Sequence, residues 1–449
     1  MFRGFFRKQI SRAIGSVISK EIFRFIGMGN PIYKEASFDN FIKEGYMGNA
    51  DVYSIIDKIC KTCSSIEWTL NEVVNKKELR HYKQINNAAT IKSEIYRTKA
   101  LKEIPEHRIL DLLEHPNNIQ GYTEFLCNYV GFKLTTGNAL INGVAPDFGK
   151  NKGLFQELWL MPPQLTDIVA GDWREPIKGY RLNITYNRRH DIPAENVLHS
   201  RYFNPEYANG AYLWGISPLK AAFKNIAASN SADTARVKSF INNGAMGIIS
   251  GDARDESMAM SGDEVKAVEE KYREKFGGTE NINKVLFTAA NVRWYNMGMS
   301  PVDLAIIESK KLDLRTLCNI YGVQSQLFND PENKTYNNQE EAKKSLITEV
   351  VMPIMNDLRD ELNSWLVKPY SLAEGKTYWL DLNWKNVSVL QDNFKEMAAT
   401  LEKTWWMSPN QRRTIQGMDV MPDPAMDKIY IPSSLVLLED AGKSTSVAL

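Results

Sequence analysis

Four cysteines and five histidines are all this chain has of the side chains that most often hold metals or attack substrates. Cys60, Cys63, Cys127 and Cys318 are too few and too scattered for a disulfide framework. Cys60-Lys61-Thr62-Cys63 has CxxC spacing, but no second pair or nearby histidine completes a zinc set. It lies in a helix-like run, Val52 to Ile59, whose i+3 and i+4 spacing puts the cysteines on the buried face, so packing is the expected role. His81, His107, His115, His190 and His199 form no HxxxH or HExxH arrangement. No run of about 18 apolar residues occurs, which excludes a transmembrane helix. A surplus of one charge is missing too: 55 Lys and Arg face 54 Asp and Glu, for a formal net charge of +1. Affinity for nucleic acid comes from neutralising phosphates, so near-neutrality argues against a sequence-specific DNA binder.

The signatures of catalysis are equally sparse. The nearest approach to a phosphate cradle is Gly143-Val144-Ala145-Pro146-Asp147-Phe148-Gly149-Lys150-Asn151. It has one residue too many between its glycines, and Asn151 stands where a P-loop needs Ser or Thr for magnesium. That segment reads as a turn. No GxGxxG follows a strand. Glu269-Glu270 and Glu340-Glu341 lie on helical faces with lysines three or four residues away, as solvated or intersubunit ion pairs do. Nothing assembles a nucleophile, a base and an orienting group, so no catalytic residue, cofactor or metal is expected.

What remains is a well-stocked globular chain. Its 449 residues, 43% hydrophobic and 24% charged, suffice for one large or two to three ordinary cores. Met1 to Gly27 is basic and amphipathic, with Phe2, Phe5, Phe6, Ile10, Ile14, Ile18 and Phe23 at roughly helical spacing. A membrane-surface helix, a transit peptide and an arm docking on a neighbouring subunit compete for it. Glu21 and the lack of a small-residue cleavage site weaken the transit peptide, and the docking arm is preferred. Phe38 to Ile141 reads mainly as helix, with Asn117-Asn118 capping a run that begins near Tyr122. Leu154 to Phe203 turns to strands, of which Gly179 to Tyr186 alternates apolar and polar residues. A helix returns over Ser217 to Phe240, with Leu219, Ala222, Phe223, Ile226 and Ala227 on one side. Two short strand candidates follow at Val285–Thr288 and Val292–Tyr295.

The most informative stretch is Ser300 to Leu366. Pro301 suits the first turn of a helix that carries Ile306, Ile307, Leu312, Leu314, Leu317 and Ile320, and Gly322 suits its stop. A polar, turn-forming loop follows, from Phe328 to Asn337. A second helix opens on a capping box, Asn338 with Glu341. Its apolar series Ala342, Leu346, Val350, Ile354, Leu358, Leu362, Leu366 makes a wide buried face. Pro353 falls inside it and predicts a kink. Downstream, Tyr378 to Leu390 reads as a strand-like return, Asp392 to Glu402 as helix, and Ser408 as the cap of a short helix.

Four segments in order resemble the portal proteins of tailed bacteriophages, of the type found in long-tailed siphoviruses. They are "HPNNIQGYTEFLCNYVGFKLTTGNALI" from His115, "VLHSRYFNPEYANGAYLWGISPLKAA" from Val197, "YGVQSQLFNDPENKTYNNQEEAKKSLITEVVMPIMNDLRDELNSWLV" from Tyr321, and "WMSPNQRRTIQGMDVMP" from Trp406. The resemblance implies an α+β portal fold. Residues 1–30 would be the arm, 31–260 a β-rich and helical wing, and 261–278 and 301–326 the paired stem helices. Residues 279–300 would be a small β clip with Phe287, Arg293 and Trp294 as contacts. A tunnel loop, 327–338, would present Asn329, Asp330, Glu332, Asn333, Lys334, Thr335 and Asn337 to a DNA channel. Residues 339–390 would be the helix kinked at Pro353 and the return to the wing, and 391–449 a helical crown and tail.

Such a subunit forms a ring, expected as a dodecamer, at one capsid vertex. The implied partners are other copies of itself, the terminase large subunit, a head–tail adaptor, major capsid or scaffold protein, and double-stranded DNA passing without specificity, with no membrane. The missing P-loop agrees with a motor ATPase on a separate protein, and near-neutral charge suits a conduit. Two other classes stay open on the residues alone. One is a nucleic-acid-processing enzyme with dispersed carboxylates. The other is a peripheral membrane protein anchored by residues 1–27.

Overall fold

The structure is a computed structural model. It describes residues 23–25, 31–33, 37–85, 91–172, 174–185, 188–241, 247–251, 266, 270, 292–296, 306–328, 330, 336–384, 387–390, 399–415 and 420–430. The chain divides into two compact units. One comprises residues 1–57, 132–138 and 201–334, the other 58–131, 139–200 and 335–449.

In the first unit, two antiparallel strands, β1 (Phe23–Phe25) and β2 (Pro31–Tyr33), pair Phe23 with Tyr33. Phe23 was expected at a helical position; its backbone is extended instead. Met1 to Glu21 lies outside the described residues. The core of this unit is helical. The Pro218–Ile241 helix packs against the Ile306–Tyr321 helix. Leu219, Ala222, Phe223, Ile226 and Ala227 are all buried, as their spacing predicts. Phe41 meets Phe223 edge to face, with centroids 6.0 Å apart. Asn49 caps the Ala50–Cys63 helix by accepting from the amides of Asp51 and Val52, both at 3.1 Å, and its amide nitrogen donates to Asn230. Leu312 is 62% exposed, so the buried stripe of the Ile306–Tyr321 helix runs instead through Leu317, Cys318 and Tyr321.

Strands β11 (Gly247–Gly251) and β12 (Val292–Asn296) also belong to the first unit and pair antiparallel, Ile249 opposite Trp294. The Val292 strand is where sequence places it, but its partner is 247–251, a stretch assigned to the wing. The Val285–Thr288 candidate and the start of a helix at Pro301 lie outside the described residues. So does the 261–278 stem helix, apart from single helical positions at 266 and 270.

The second unit holds three small sheets. Strands β3 (Glu67–Val73), β4 (Leu101–Ile104) and β13 (Tyr378–Asn383) form a sheet in the order β13-β3-β4, with Leu70 between Leu380 and Ile104. A second sheet joins β5 (Asn138–Val144), β6 (Glu157–Met161) and β10 (Val197–Arg201) in the order β10-β5-β6. The third is the meander β7 (Thr166–Ala170), β8 (Ile177–Thr185) and β9 (Arg188–Pro193). Residues 38–141 are mainly helical, as expected, with the unforeseen strands β3, β4 and the start of β5 set among the helices. On β8 the alternation is realised in part, with Tyr180 buried and Ile184 53% exposed. Asn117 caps no long helix. It closes the preceding turn by accepting from Ile119 and Gln120 and donating to the Leu158 carbonyl.

One long helical run, Tyr336 to Glu374, dominates the second unit. It passes from α (Tyr336–Ser345) to π (Leu346–Val351), back to α (Met352–Leu362), again to π (Asn363–Val367), and ends in α (Lys368–Glu374). Asn338 is thus inside the helix rather than its cap. The run continues past Leu366 until Gly375, at φ 69°, stops it. Ala342, Leu346, Val350, Ile354, Leu358, Leu362 and Leu366 are buried throughout, as expected. The two π turns have a common local cause. In an α-helix, Pro353 would crowd the carbonyl of Glu349, and Pro369 that of Trp365. Both carbonyls fall in π segments, where the wider turn relieves the clash.

Candidate functional site

The site that sequence points to is the segment leading into the expected tunnel loop. The Ile306–Tyr321 helix ends at Gly322, whose φ of 69° gives the left-handed C′ residue. The Val323 amide donates to the Cys318 carbonyl at 2.8 Å and the Gly322 amide to that of Asn319 at 3.2 Å, a complete Schellman closure. A 3-10 turn, Ser325–Phe328, then brings the chain back along the helix.

That return places Asp330 beside Arg315. The guanidinium Nε donates to Oδ2 at 2.8 Å and an Nη to Oδ1 at 3.0 Å, while the Ser325 hydroxyl donates to Oδ2 at 2.9 Å. Asp330 is only 3% exposed. A carboxylate that has left water keeps its charge only with such a fork and a further donor. Asp330 was expected among the groups facing the channel. It is instead buried against Arg315 of the preceding helix. Asn337 is likewise helical rather than in the loop. Asn329, Glu332, Asn333, Lys334, Thr335 and Phe287 lie outside the described residues. Arg293 and Trp294 sit on β12 opposite Ser250 and Ile249. Pro353 occupies the first turn of the Met352–Leu362 segment, directly after a π turn.

Carboxylates crowd the same helix further along. Lys310 Nζ donates to Asp233 at 2.5 Å, and Asn225 reaches Asp313 at 3.5 Å. Burial pushes the carboxyls of Asp51 and Asp313 above their ordinary range, only partly opposed by Lys310. The Asp313 Oδ2 is buried without a hydrogen-bond partner. Burial, with Asp51 and Asp330 nearby, pushes the Cys318 thiol up to about 12, which leaves it a packing group rather than a nucleophile. Among the described residues, no group of three or more His, Cys, Asp or Glu is placed to hold a metal ion. An open cavity of about 350 Å³ in the second unit, walled in part by Arg108, His115 and Tyr370, offers no Ser, Thr, Cys or Lys from its lining.

Residues 83–417 match the phage portal protein family. The chain belongs to the phage portal protein family. Its function is that of a portal subunit. It is 24% identical over 381 residues to an uncharacterized protein of Rickettsia felis, spanning 84% of this chain and 88% of that one. It is 22% identical over 414 residues to an uncharacterized protein of Rickettsia bellii, spanning 91% and 96%. Among the solved structures that share its fold are two gene transfer agent necks. The neck of an empty gene transfer agent particle, computed with C6 symmetry, aligns with a TM-score of 0.60 at 21% identity over 88% of this chain and 97% of that one. The neck of the native particle, computed with C12 symmetry, aligns with a TM-score of 0.58 at 20% identity over 90% and 99%.

Two of the portal-like sequence segments now have local explanations. In Gly215-Ile216-Ser217-Pro218, a Cβ on Gly215 would stand 2.3 Å from the Gly137 carbonyl oxygen, so no side chain fits. The Asn138 side chain brackets Gly215, accepting from its amide at 2.6 Å and donating to its carbonyl at 3.0 Å. Ser217 accepts from the Leu219 amide as cap of the Pro218–Ile241 helix, and its hydroxyl donates to the Thr135 carbonyl at 2.6 Å. In Ser408-Pro409-Asn410-Gln411, Ser408 accepts from the Gln411 amide, and the Gln411 side chain accepts from the Ser408 amide. Ser408 is therefore the cap that sequence indicates, and Gln411 makes it a full capping box for the Pro409–Ile415 helix.

Sequence reasoning missed Arg315. No local spacing rule links it to a residue beyond a helix end, a reversing turn and a 3-10 segment. The only available hint was a lone arginine on the helix before a loop rich in acids.

Proposed function

We propose that twelve copies of this chain close head to tail into a ring at one capsid vertex, the conduit by which double-stranded DNA enters and leaves. The observation that carries this reading is family membership over residues 83–417, joined to a fold shared with a neck computed with C12 symmetry. A ring built from one repeated head-to-tail contact closes by symmetry and needs no second protein.

In this reading the role is mechanical and non-catalytic. The terminase large subunit and a head–tail adaptor dock in turn on the clip around Phe287, Arg293 and Trp294, and capsid or scaffold protein contacts the wing. The loop between Asp330 and the Tyr336 helix projects into the channel. There Lys334, with Glu332, Asn333 and Thr335 beside it, meets passing phosphates. The near-neutral charge supports a sliding conduit, because many tight phosphate contacts would act as a brake.

The test is the native mass of the purified chain, with negative-stain images of the same sample. Closed rings with a central hole are expected. A strict monomer or dimer at high concentration counts against assembly by this chain alone and calls for nuclease and ATPase assays next.

A further inference from the structure

We propose that the open cavity of the second unit is a receptor for an apolar group that carries a carboxylate. That chemistry belongs to the C-terminal leucine or phenylalanine of a polypeptide and equally to a free acylated amino acid. The inference goes beyond the ring and its channel and needs neither. The Arg108–Glu114 helix forms one wall, with Arg108, Asp111 and Leu112 at i, i+3 and i+4 on a single face and His115 directly after its last residue. Leu112, Leu154, Phe155 and Tyr370 are buried and make the floor, while Arg108 and Asp111 stand exposed at the rim. At about 350 Å³ the cavity is at the small end of ligand sites, which run from about 300 to about 1,000 Å³, and it suits one large side chain.

The walls are fixed by the fold itself. The Tyr370 hydroxyl donates to the Phe155 carbonyl at 2.6 Å, and the Phe155 ring stacks on Trp365 with centroids 4.5 Å apart. A Cβ on Gly143 would stand 2.5 Å from that ring, so glycine is what lets Phe155 lie there. His107 caps the helix, its Nδ1 accepting from the Ile109 amide at 3.1 Å. The ring proton is therefore on Nε2, which donates to Glu374 at 3.2 Å. Glu374 ends the Lys368–Glu374 helix that supplies Tyr370, so the two sides of the cavity are tied together.

Charge fixes the rest of the ligand. The Arg108 side chain has one hydrogen-bond partner among the described residues, the neutral amide oxygen of Asn151 at 3.1 Å, and no ion pair. Glu374 feels its charge but already accepts from Tyr378 and His107. An oriented guanidinium beside an apolar floor leaves donors for a carboxylate. Asp111, one turn along the rim, repels that same carboxylate. The two rim charges therefore act on binding in opposite directions, which a loss of folding cannot mimic.

Ligand-observed NMR titration of the intact chain reads the affinity. The probes are N-acetyl-phenylalanine, an acetylated tetraglycyl-phenylalanine peptide, and both again with the carboxylate amidated. The acids are expected to saturate with a Kd of about 1 mM or tighter, and amidation or Arg108→Gln weakens them at least about tenfold. Asp111→Asn tightens them about two- to fourfold. A peptide that binds more tightly than the acylated amino acid assigns the ligand to a polypeptide end, and equal or weaker binding assigns it to the free acid. No saturation by about 10 mM, or acids and amides that bind alike, overturns the proposal. So does unchanged affinity in Arg108→Gln. Melting temperatures are recorded for each variant. If Arg108→Gln melts early, Asp111→Asn decides, and binding that is unchanged or weaker there overturns the proposal.

Discussion

Asn363 acts as a surrogate strand for Leu380. Its amide nitrogen donates to the Leu380 carbonyl and its amide oxygen accepts from the Leu380 N–H, both at 2.8 Å. Strand β13 lies at the edge of its sheet, so these backbone groups would otherwise lack a neighbour. Asn363 opens the second π turn, and its nitrogen also reaches the Arg359 carbonyl at 2.8 Å. One side chain thus seals a sheet edge and fills the widened helical turn. Asn363→Leu should cost about 2 kcal/mol in chemical denaturation, because Leu380 is itself fully buried and two of its backbone groups go unpaired. Asn363→Asp keeps the acceptor but sets a carboxylate oxygen against the Leu380 and Arg359 carbonyls, so at neutral pH it should cost at least as much. A Leu variant as stable as the wild type would mean that water replaces the amide.

The buried carboxylate of Asp313 gives a prediction whose sign runs against the usual acid lability. Burial is the main cause of its raised pKa, and the Asn225 hydrogen bond and Lys310 oppose it incompletely. Asp51 and Asp233 belong to the same charge cluster. A carboxyl whose folded pKa exceeds the unfolded one contributes stability below the unfolded value and loses it as pH rises through the folded value. Asp313→Asn keeps an acceptor for Asn225 and removes the charge. It should raise the melting temperature by a few degrees at pH 8, with the gap closing as pH falls toward the ordinary value of 3.8. A difference that stays constant from pH 8 to pH 4 would exclude ionisation as the cause.

The extent to which sequence forecast this structure follows from how local each cause is. Leu219 to Ala227 and Ala342 to Leu366 were legible, because helical periodicity reports burial on one face and both sets are buried. Gly322 and Ser408 were legible as well, since a left-handed stop and a side-chain cap depend on a few adjacent residues. The strands between residues 66 and 144 were not. Leu70 is held by Leu380 and Ile104, and nothing near Leu70 in the chain announces a partner some three hundred residues away. Asp330 failed for the same reason: its acidity suggested solvent, and its burial depends on Arg315, whose guanidinium reaches back across a reversing turn. The distance in sequence between partners, more than residue type, marks where the reading stopped.

Pro353 carries the third prediction. Proline after a π turn leaves the Glu349 carbonyl without an α-helical donor, and restoring that donor should let the turn tighten. Pro353→Ala is expected to convert Leu346–Val351 to α-helix in a determined structure. Leu346, Ile347, Val350 and Val351 are all buried in this turn. An unchanged π turn in the variant would show that their packing, not the proline, sets the wider turn.

Lys334 tests the channel reading itself. If the loop meets DNA, removing its one basic side chain alters passage and leaves subunit contacts alone. Lys334→Ala should give rings of wild-type mass by native mass spectrometry, with a changed efficiency of DNA packaging in particles assembled from it. The change should depend on salt, because a contact between lysine and phosphate weakens as counterions compete for the same charge. Unchanged packaging at low and high ionic strength would remove Lys334 from the mechanism. Passage would then rest on the shape of the constriction alone.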